Sequence, residues 1–457
     1  MTMLGLALNS LRFRLGGFTA TFVNTFLGAV VLMSFSSLFD TAGGVGVSAA
    51  DESSLTTIAG AVGGWGLVIV AFGVSSTMSL AVRQRQAEFA LLKAAGATPS
   101  QIGRMIIGEG VAVSIIAALL GIVPAWLIGR AILGALTSTD QIADSVTYEF
   151  GSLALIAGLS TTLLATVGAA AITARRAGRI SAREALSEAA TDRRSIGKGR
   201  AVAGGLLLVV GIACALATAT VVKDEGFTTL SVAGQACIAS AIGLALLSPV
   251  ALRALILPVA LVTRPFTGAA GYLATSTIRE RTKQIAAITM PVIVLTGLAA
   301  GSLYIQRIQT TANAADGISV SADDKGVETL NLVIVGMISV FAAIVLINNC
   351  VASLLARRQE FGLARKLGAT PSQILRAVTL ESVFAAACGL TLGTVAAAIG
   401  IVGFAYGRTG SWRPDVDAVP YLAIIVTGIA LTLTASLLAA RRSLAAPMID
   451  AAGTMRA

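Results

Sequence analysis

The chain has 457 residues, of which 56% are hydrophobic, 12% are charged and 48 are glycine. Soluble domains carry about 25% charged residues, so the composition excludes an ordinary soluble enzyme and indicates an integral membrane protein. The net charge of +10 invites a nucleic-acid reading, but the basic residues are sorted by side of the membrane, as shown below.

Apolar runs long enough to cross the hydrocarbon as helices fall at about 17–39, 58–82, 107–129, 151–174, 201–222, 229–252, 285–305, 330–356, 377–405 and 420–440. Ten spans put both termini on one side. That side then holds 27 of the 33 Lys and Arg residues, so the positive-inside rule places the termini in the cytoplasm. The expected class is an all-α integral membrane protein of about ten transmembrane helices. A cell membrane crossed many times, with both termini cytoplasmic, is the expected location.

Before the first span, Arg12 and Arg14 read as an amphipathic lead-in whose charges meet anionic headgroups. The first apolar run is long enough to span and lacks a clear small-residue cleavage site, so no cleavable signal peptide is expected. The loop at 40–57 is short and acidic, with Asp40, Asp51 and Glu52, and cannot own a core.

The stretch after the second span carries the strongest signal. Glu88–Arg104 reads EFALLKAAGATPSQIGR, and 272 residues later Glu360–Arg376 reads EFGLARKLGATPSQILR, identical at 11 of 17 positions. A repeat at such separation marks a duplicated unit. In the first copy Phe89, Leu91 and Leu92 lie in a short helix-forming run that Gly96 is suited to stop. Thr98 is then a good N-cap, Pro99 a good first helical residue, and Gln101 completes a capping box. Phe361, Leu363, Gly368, Thr370, Pro371 and Gln373 repeat the arrangement. Each copy is therefore a short helix, a glycine stop and a freshly capped second helix. One such corner could be an ordinary connector between spans, but two that retain the same side chains argue for a shared task.

Residues 98–135 are apolar for longer than one crossing needs, so the capped start is expected to lie along the inner interface before turning inward at a span that Pro124 can kink. Glu109 and its repeat partner Glu381 stand near the start of the crossing. A carboxylate facing lipid is expensive, so each is expected to face a protein neighbour or the water interface. A proton relay is disfavoured, because the spans hold almost no other ionisable group to continue it.

Beyond span four, basic residues including Arg175, Arg176 and Arg179 open a polar stretch that runs to Arg200. Spans five and six have no counterpart in the repeat. They read as linkers that return the chain to the cytoplasm, so that the halves run parallel and not inverted. Residues 1–190 form the first four-span unit, 191–265 the two linking helices and 266–457 the second unit. Ala274–Arg281 loosely matches Ala7–Arg14 at the start of each. The loop at 306–329, with Asp316, Asp323, Asp324 and Glu328, is again short. Cys214, Cys237, Cys350 and Cys388 lack metal or redox spacing and read as small packing residues. Without histidine, and without a GxxxxGK[ST] loop to cradle phosphate, the chain offers no catalytic site.

The corners resemble the FtsX-like (MacB-like) permeases of ABC transporters. In that family a Glu-[aromatic or aliphatic]-x-Leu stretch running into Gly-Ala-[Thr or Ser] follows the second span of each unit. The matching positions are Arg85–Ala95 with Gly96 and Ala97, and Arg357–Leu367 with Gly368 and Ala369. The resemblance implies that these segments are coupling helices docking on a separate ATP-hydrolysing subunit, two ATPases per chain. The residues implied in that contact are Arg85, Glu88, Phe89, Leu91, Leu92 and Gly96, with Arg357, Glu360, Phe361, Leu363 and Gly368 in the second copy. It further implies a non-catalytic subunit that binds no cofactor itself, since the partner binds ATP and Mg. The ten-span layout is similar to the fused permeases of peptide-antibiotic detoxification. Those relatives usually carry a large extracellular domain between spans seven and eight, where this chain has only a loop. Export of an amphipathic peptide, antibiotic or lipid-like molecule is the expected role. The alternative is ATP-driven control of a cell-wall hydrolase or sensor kinase. An ion-driven transporter is a third reading, against which the near absence of ionisable groups in the spans counts.

Overall fold

The computed structural model describes residues 15–138, 142–179, 198–223, 227–280, 282–316, 340, 342–351, 353–354, 357–412 and 417–445. The helices are α1 (Leu15–Ala42), α2 (Ala49–Gln84), α3 (Gln86–Ala94), α4 (Pro99–Thr137), α5 (Ser152–Arg179), α6 (Lys198–Thr220), α7 (Phe227–Glu280) and α8 (Thr282–Ala315). They are followed by α9 (Ala342–Val351), α10 (Arg358–Lys366), α11 (Pro371–Thr409) and α12 (Val419–Ala445). Among the described residues there is no strand.

Eight of the described helical segments are long and apolar enough to cross a membrane, which makes this an all-α membrane protein. The expected span at 58–82 lies within α2, a helix of 36 residues. The one at 330–356 begins outside the described residues, and its described part, α9, is a shorter apolar helix. Arg12, Arg14, Asp323, Asp324, Glu328 and the stretch 180–197 also lie outside the described residues.

Contacts divide the chain into two compact units, Met1–Thr191 with Val320–Met337, and Asp192–Ser319 with Ile338–Ala457. In the first unit α1 packs on α2, α4 and α5, and α4 packs on α5. At the end remote from α3, the residues before α5 fold back on α1. The carboxylate of Asp40 accepts from the backbone N–H groups of Leu153 at 3.0 Å and Ala154 at 2.7 Å. Those are among the first N–H groups of α5, which the helix cannot satisfy internally, so a residue of α1 caps α5.

In the second unit α8 and α11 form the centre, with α7 against both, α6 against α7 and α11, and α12 against α11. Small residues let these backbones meet closely. A Cβ on Gly403 of α11 would stand 2.5 Å from the carbonyl oxygen of Ala215 in α6, and one on Gly243 of α7 would stand 2.8 Å from the backbone nitrogen of Leu208. The four cysteines are unpaired. Cys237 fills the space beside Gly301 and Gly400.

Helix α4 departs from expectation. It is a single helix of 39 residues from Pro99 onward, with no turn between an interfacial part and a crossing part. At 1.5 Å per residue it is about 58 Å long, longer than the hydrocarbon core of about 30 Å. Its equivalent α11 has the same length. At the end that carries the corner the helix packs on its own bundle: Ile102, Ile106, Glu109 and Gly110 are all buried.

Candidate functional site: two duplicated helical corners

The corner is built in the same steps in both units. The chain breaks at Arg85, whose φ of −104° and ψ of 12° end α2 and start α3; Arg357 does the same before α10, at −93° and 4°. Helix α3 then closes in a Schellman turn. Ala97 N–H donates to Leu92 O at 2.9 Å and Gly96 N–H to Lys93 O at 3.0 Å. The matching bonds run from Ala369 to Ala364 at 2.9 Å and from Gly368 to Arg365 at 3.1 Å. The turn requires a left-handed residue, and Gly96 (φ +96°) and Gly368 (φ +95°) supply it.

The next helix starts on a complete capping box. Gln101 N–H donates to Thr98 Oγ1 at 3.3 Å, and Thr98 N–H donates to Gln101 Oε1 at 2.8 Å. Thr370 and Gln373 exchange the same bonds at 3.3 and 2.9 Å, and Pro99 and Pro371 open the helices behind them. These caps satisfy backbone donors that would otherwise be orphaned. The corners therefore hold a defined shape.

At the other end of α3 sits an ionic cluster. The Arg85 guanidinium donates from Nη1 to Glu109 Oε2, from Nη2 to Glu109 Oε1 at 3.2 Å, and from Nε to Glu88 Oε2 at 3.2 Å. Its central carbon lies 5.2 Å from the centroid of the Phe89 ring. In the second unit Arg357 makes the same two-pronged contact with Glu381, with the Nη2 bond again at 3.2 Å, and lies 5.1 Å from the Phe361 centroid. Its Nε is 3.6 Å from Glu360 Oε2, an ion pair too long for a hydrogen bond. A cavity of about 20 Å³ adjoins this second pair, lined by Gln284, Ser353, Ser382 and Ser436 and, over most of its wall, by apolar side chains such as Ile285 and Val378. That is room for about one water molecule.

Glu109 and Glu381 are buried, with side chains only 2% and 9% exposed. The expectation that each faces a protein neighbour or the water interface thus resolves to a protein neighbour, the arginine at the helix break. Burial works against the Arg85 charge, but its bonds and attraction to Glu109, then Glu88, outweigh that, so its pKa lies above the ordinary value. Sequence reasoning singled out both arginines and both glutamates without pairing them. Both pairs recur at the 272-residue offset, but other charges crowd the same stretches, Lys93 and Arg104 in one and Arg365, Lys366 and Arg376 in the other, so the recurrence does not by itself pair them.

The corners divide the expected contact residues into two groups. Phe89 is only 4% exposed and packs with Met78, Val82, Ile102, Ile106 and Ala174. Phe361 is 5% exposed and packs with Leu354, Ile374, Val378 and Ala439. The expectation that these rings reach into a partner is therefore corrected. They are consumed in fastening α3 and α10 to their own bundles. Leu91, Leu92 and Leu363 are exposed at 72%, 40% and 56%, and Leu367, not singled out from the sequence, is exposed at 83%. Glu88 and Glu360 are partly exposed behind their arginines. Gly96 and Gly368 are exposed and shape the turn.

A family model, FtsX-like permease C-terminal, matches residues 60–182 and 332–448, together more than half of the chain. Each match takes in one corner with its arginine–glutamate pair. The chain belongs to the FtsX-like permease family, whose members are non-catalytic membrane components of ABC systems and generally work with ABC ATPase partners. No curated protein matches the chain.

Proposed function

We propose that this chain is the permease subunit through which a separate ABC ATPase drives export or expulsion of an amphipathic peptide, antibiotic or lipid-like molecule. The observation that carries the proposal is the pair of corners, each presenting exposed leucines on a short helix of fixed shape. Exposed apolar side chains on a rigid scaffold are what an interface uses as anchors. Leu91 and Leu92 in one corner, and Leu363 and Leu367 in the other, would enter grooves on two ATPase copies, one per corner. Glu88, Glu360 and Lys93 would lie at the rim.

In this reading residues 191–265 link two duplicated four-span units, and both corners face the cytoplasm of a bacterial cell, where ATP is available. ATP and Mg bind the partner, and this chain transmits movement through its helices to the far side of the membrane. The near absence of ionisable side chains within the spans suits an apolar or amphipathic cargo.

The test is reconstitution. The purified chain is expected to hydrolyse no ATP by itself and to bind two copies of its cognate ABC ATPase. Hydrolysis by the isolated chain, or a stable complex holding two permease chains, would refute the proposal.

A further inference from the structure

Each corner is joined to its long helix twice. One link is covalent, the Schellman turn and capping box between α3 and α4. The other is the contact of Arg85 with Glu109, ten residues into α4 and about 15 Å along its axis from Pro99. Between the two links, Phe89 of α3 is buried against Ile102 and Ile106 of α4. Helix α3 is thus held to the first three turns of α4 at both ends and through its middle. In the second unit Arg357–Glu381, Phe361 and the turn at Gly368 repeat the arrangement on α10 and α11.

A buried ion pair is a poor device for stability alone, because apolar side chains of similar volume often serve as well or better. It adds direction. Two parallel N–H···O bonds fix the angle between the partners, which an apolar contact leaves free to slide. The guanidinium is also braced from its own helix, by Glu88 and the Phe89 ring in one unit and by the Phe361 ring in the other. Helix α3 can pivot about Gly96 only by breaking this contact.

We propose that Arg85–Glu109 and Arg357–Glu381 are clasps that make each corner and its long helix one rigid lever. A push on the exposed leucines of α3 or α10 then moves α4 or α11 and is not absorbed at the glycine turn. The proposal rests on the reading that an ATPase pushes on these corners. The four residues are positioning residues, and none of them is required to touch the partner.

The test uses the full chain with its cognate ABC ATPase in lipid nanodiscs. One variant neutralises both clasps, Glu109→Gln with Glu381→Gln. A second replaces them by apolar pairs, Arg85→Met with Glu109→Leu and Arg357→Met with Glu381→Leu. Hydrogen exchange of residues 86–94 and 358–366 is read in the chain alone. A fluorescent reporter on Leu127→Cys, near the far end of α4, is read on adding ATP and vanadate.

Amide exchange in both short helices is expected to rise about tenfold in the neutralised and apolar variants, the scale of a lost charged hydrogen bond. Both should still bind the ATPase but lose the reporter response. The apolar variant keeps the proposal testable if the neutralised one fails to fold. Unchanged exchange in the short helices, or a full reporter response from the apolar variant, overturns the proposal. If the unaltered complex itself gives no reporter response, the ATPase reading has failed, and the exchange measurement alone decides whether the clasps hold.

Discussion

Arg85 and Glu109 are 24 residues apart and share two hydrogen bonds, and Arg357 and Glu381 share the same two at the same separation. Each arginine stands at a break between helices and each glutamate is buried in the next long helix. The charge of one balances the other where neither has much access to water.

Removing one partner should therefore cost far more than removing both. Glu109→Gln leaves the largely buried guanidinium with only the partly exposed Glu88 to balance it, a loss of about 3 kcal/mol, the low end for a broken buried pair. The double change Arg85→Met with Glu109→Leu should cost much less, since no charge is stranded. Thermal unfolding of the purified chain in detergent checks the order. Equal losses for the single and double variants would mean that the pair contributes through packing alone.

The glycine turns give a second test. A Cβ on Gly96 or Gly368 would meet nothing within 4 Å, so their requirement is conformational and not steric. Gly96→Ala should cost about 1–2 kcal/mol from the left-handed backbone, and Gly96→Asn distinctly less. Thermal unfolding of the paired variants at 96 and 368 reads this. A stabilising Ala substitution would show that the turn changes shape freely.

Much of this corner was legible in the sequence because its signals are local. Thr98, Pro99 and Gln101 specify a helix start within four residues, and Gly96 a helix stop, so the turn is written in adjacent positions. The clasp was not legible, since it joins residues 24 apart whose approach depends on how α4 packs. The burial of Phe89 escaped for the same reason. An aromatic beside a leucine pair in a short amphipathic helix can face either way, and only the contacts with Met78, Val82, Ile102 and Ile106 decide it. The unbroken course of α4 was hidden too, because an apolar run longer than a bilayer does not say which turns lie outside it.

At the opposite end of the first unit, the cap that Asp40 supplies to α5 also predicts an outcome. Asp40→Ala leaves the N–H groups of Leu153 and Ala154 without their acceptor and should cost about 1 kcal/mol. Deleting residues 45–46 should cost less. Val45 is fully exposed, and the flanking contacts, Thr41 with Glu149 and Asp51 with Ala143, lie outside the deleted segment. Expression and thermal stability of the two variants, compared side by side, give the check. A deletion more damaging than Asp40→Ala would mean that the turn itself packs.

The leucines and phenylalanines of the corners allow folding and partner contact to be separated. Phe89 and Phe361 are buried within their own units, so Phe89→Ala with Phe361→Ala should lower stability by about 3–5 kcal/mol per site. Any loss of ATPase binding there should follow the loss of folded protein. Leu91 and Leu363 are more than half exposed, and surface changes of this kind usually alter stability by about 0.5 kcal/mol or less. Leu91→Ser with Leu363→Ser should thus leave the unfolding temperature of the free chain nearly unchanged. If these leucines are anchors in ATPase grooves, each is worth about 2 kcal/mol or more of binding, roughly thirtyfold in affinity at each corner. Titration of the ATPase against nanodisc-embedded chain measures this directly. Wild-type affinity in the leucine variant, with the fold intact, would remove the corners' exposed faces from the interface. It would leave the corners as structural turns held by their arginine clasps.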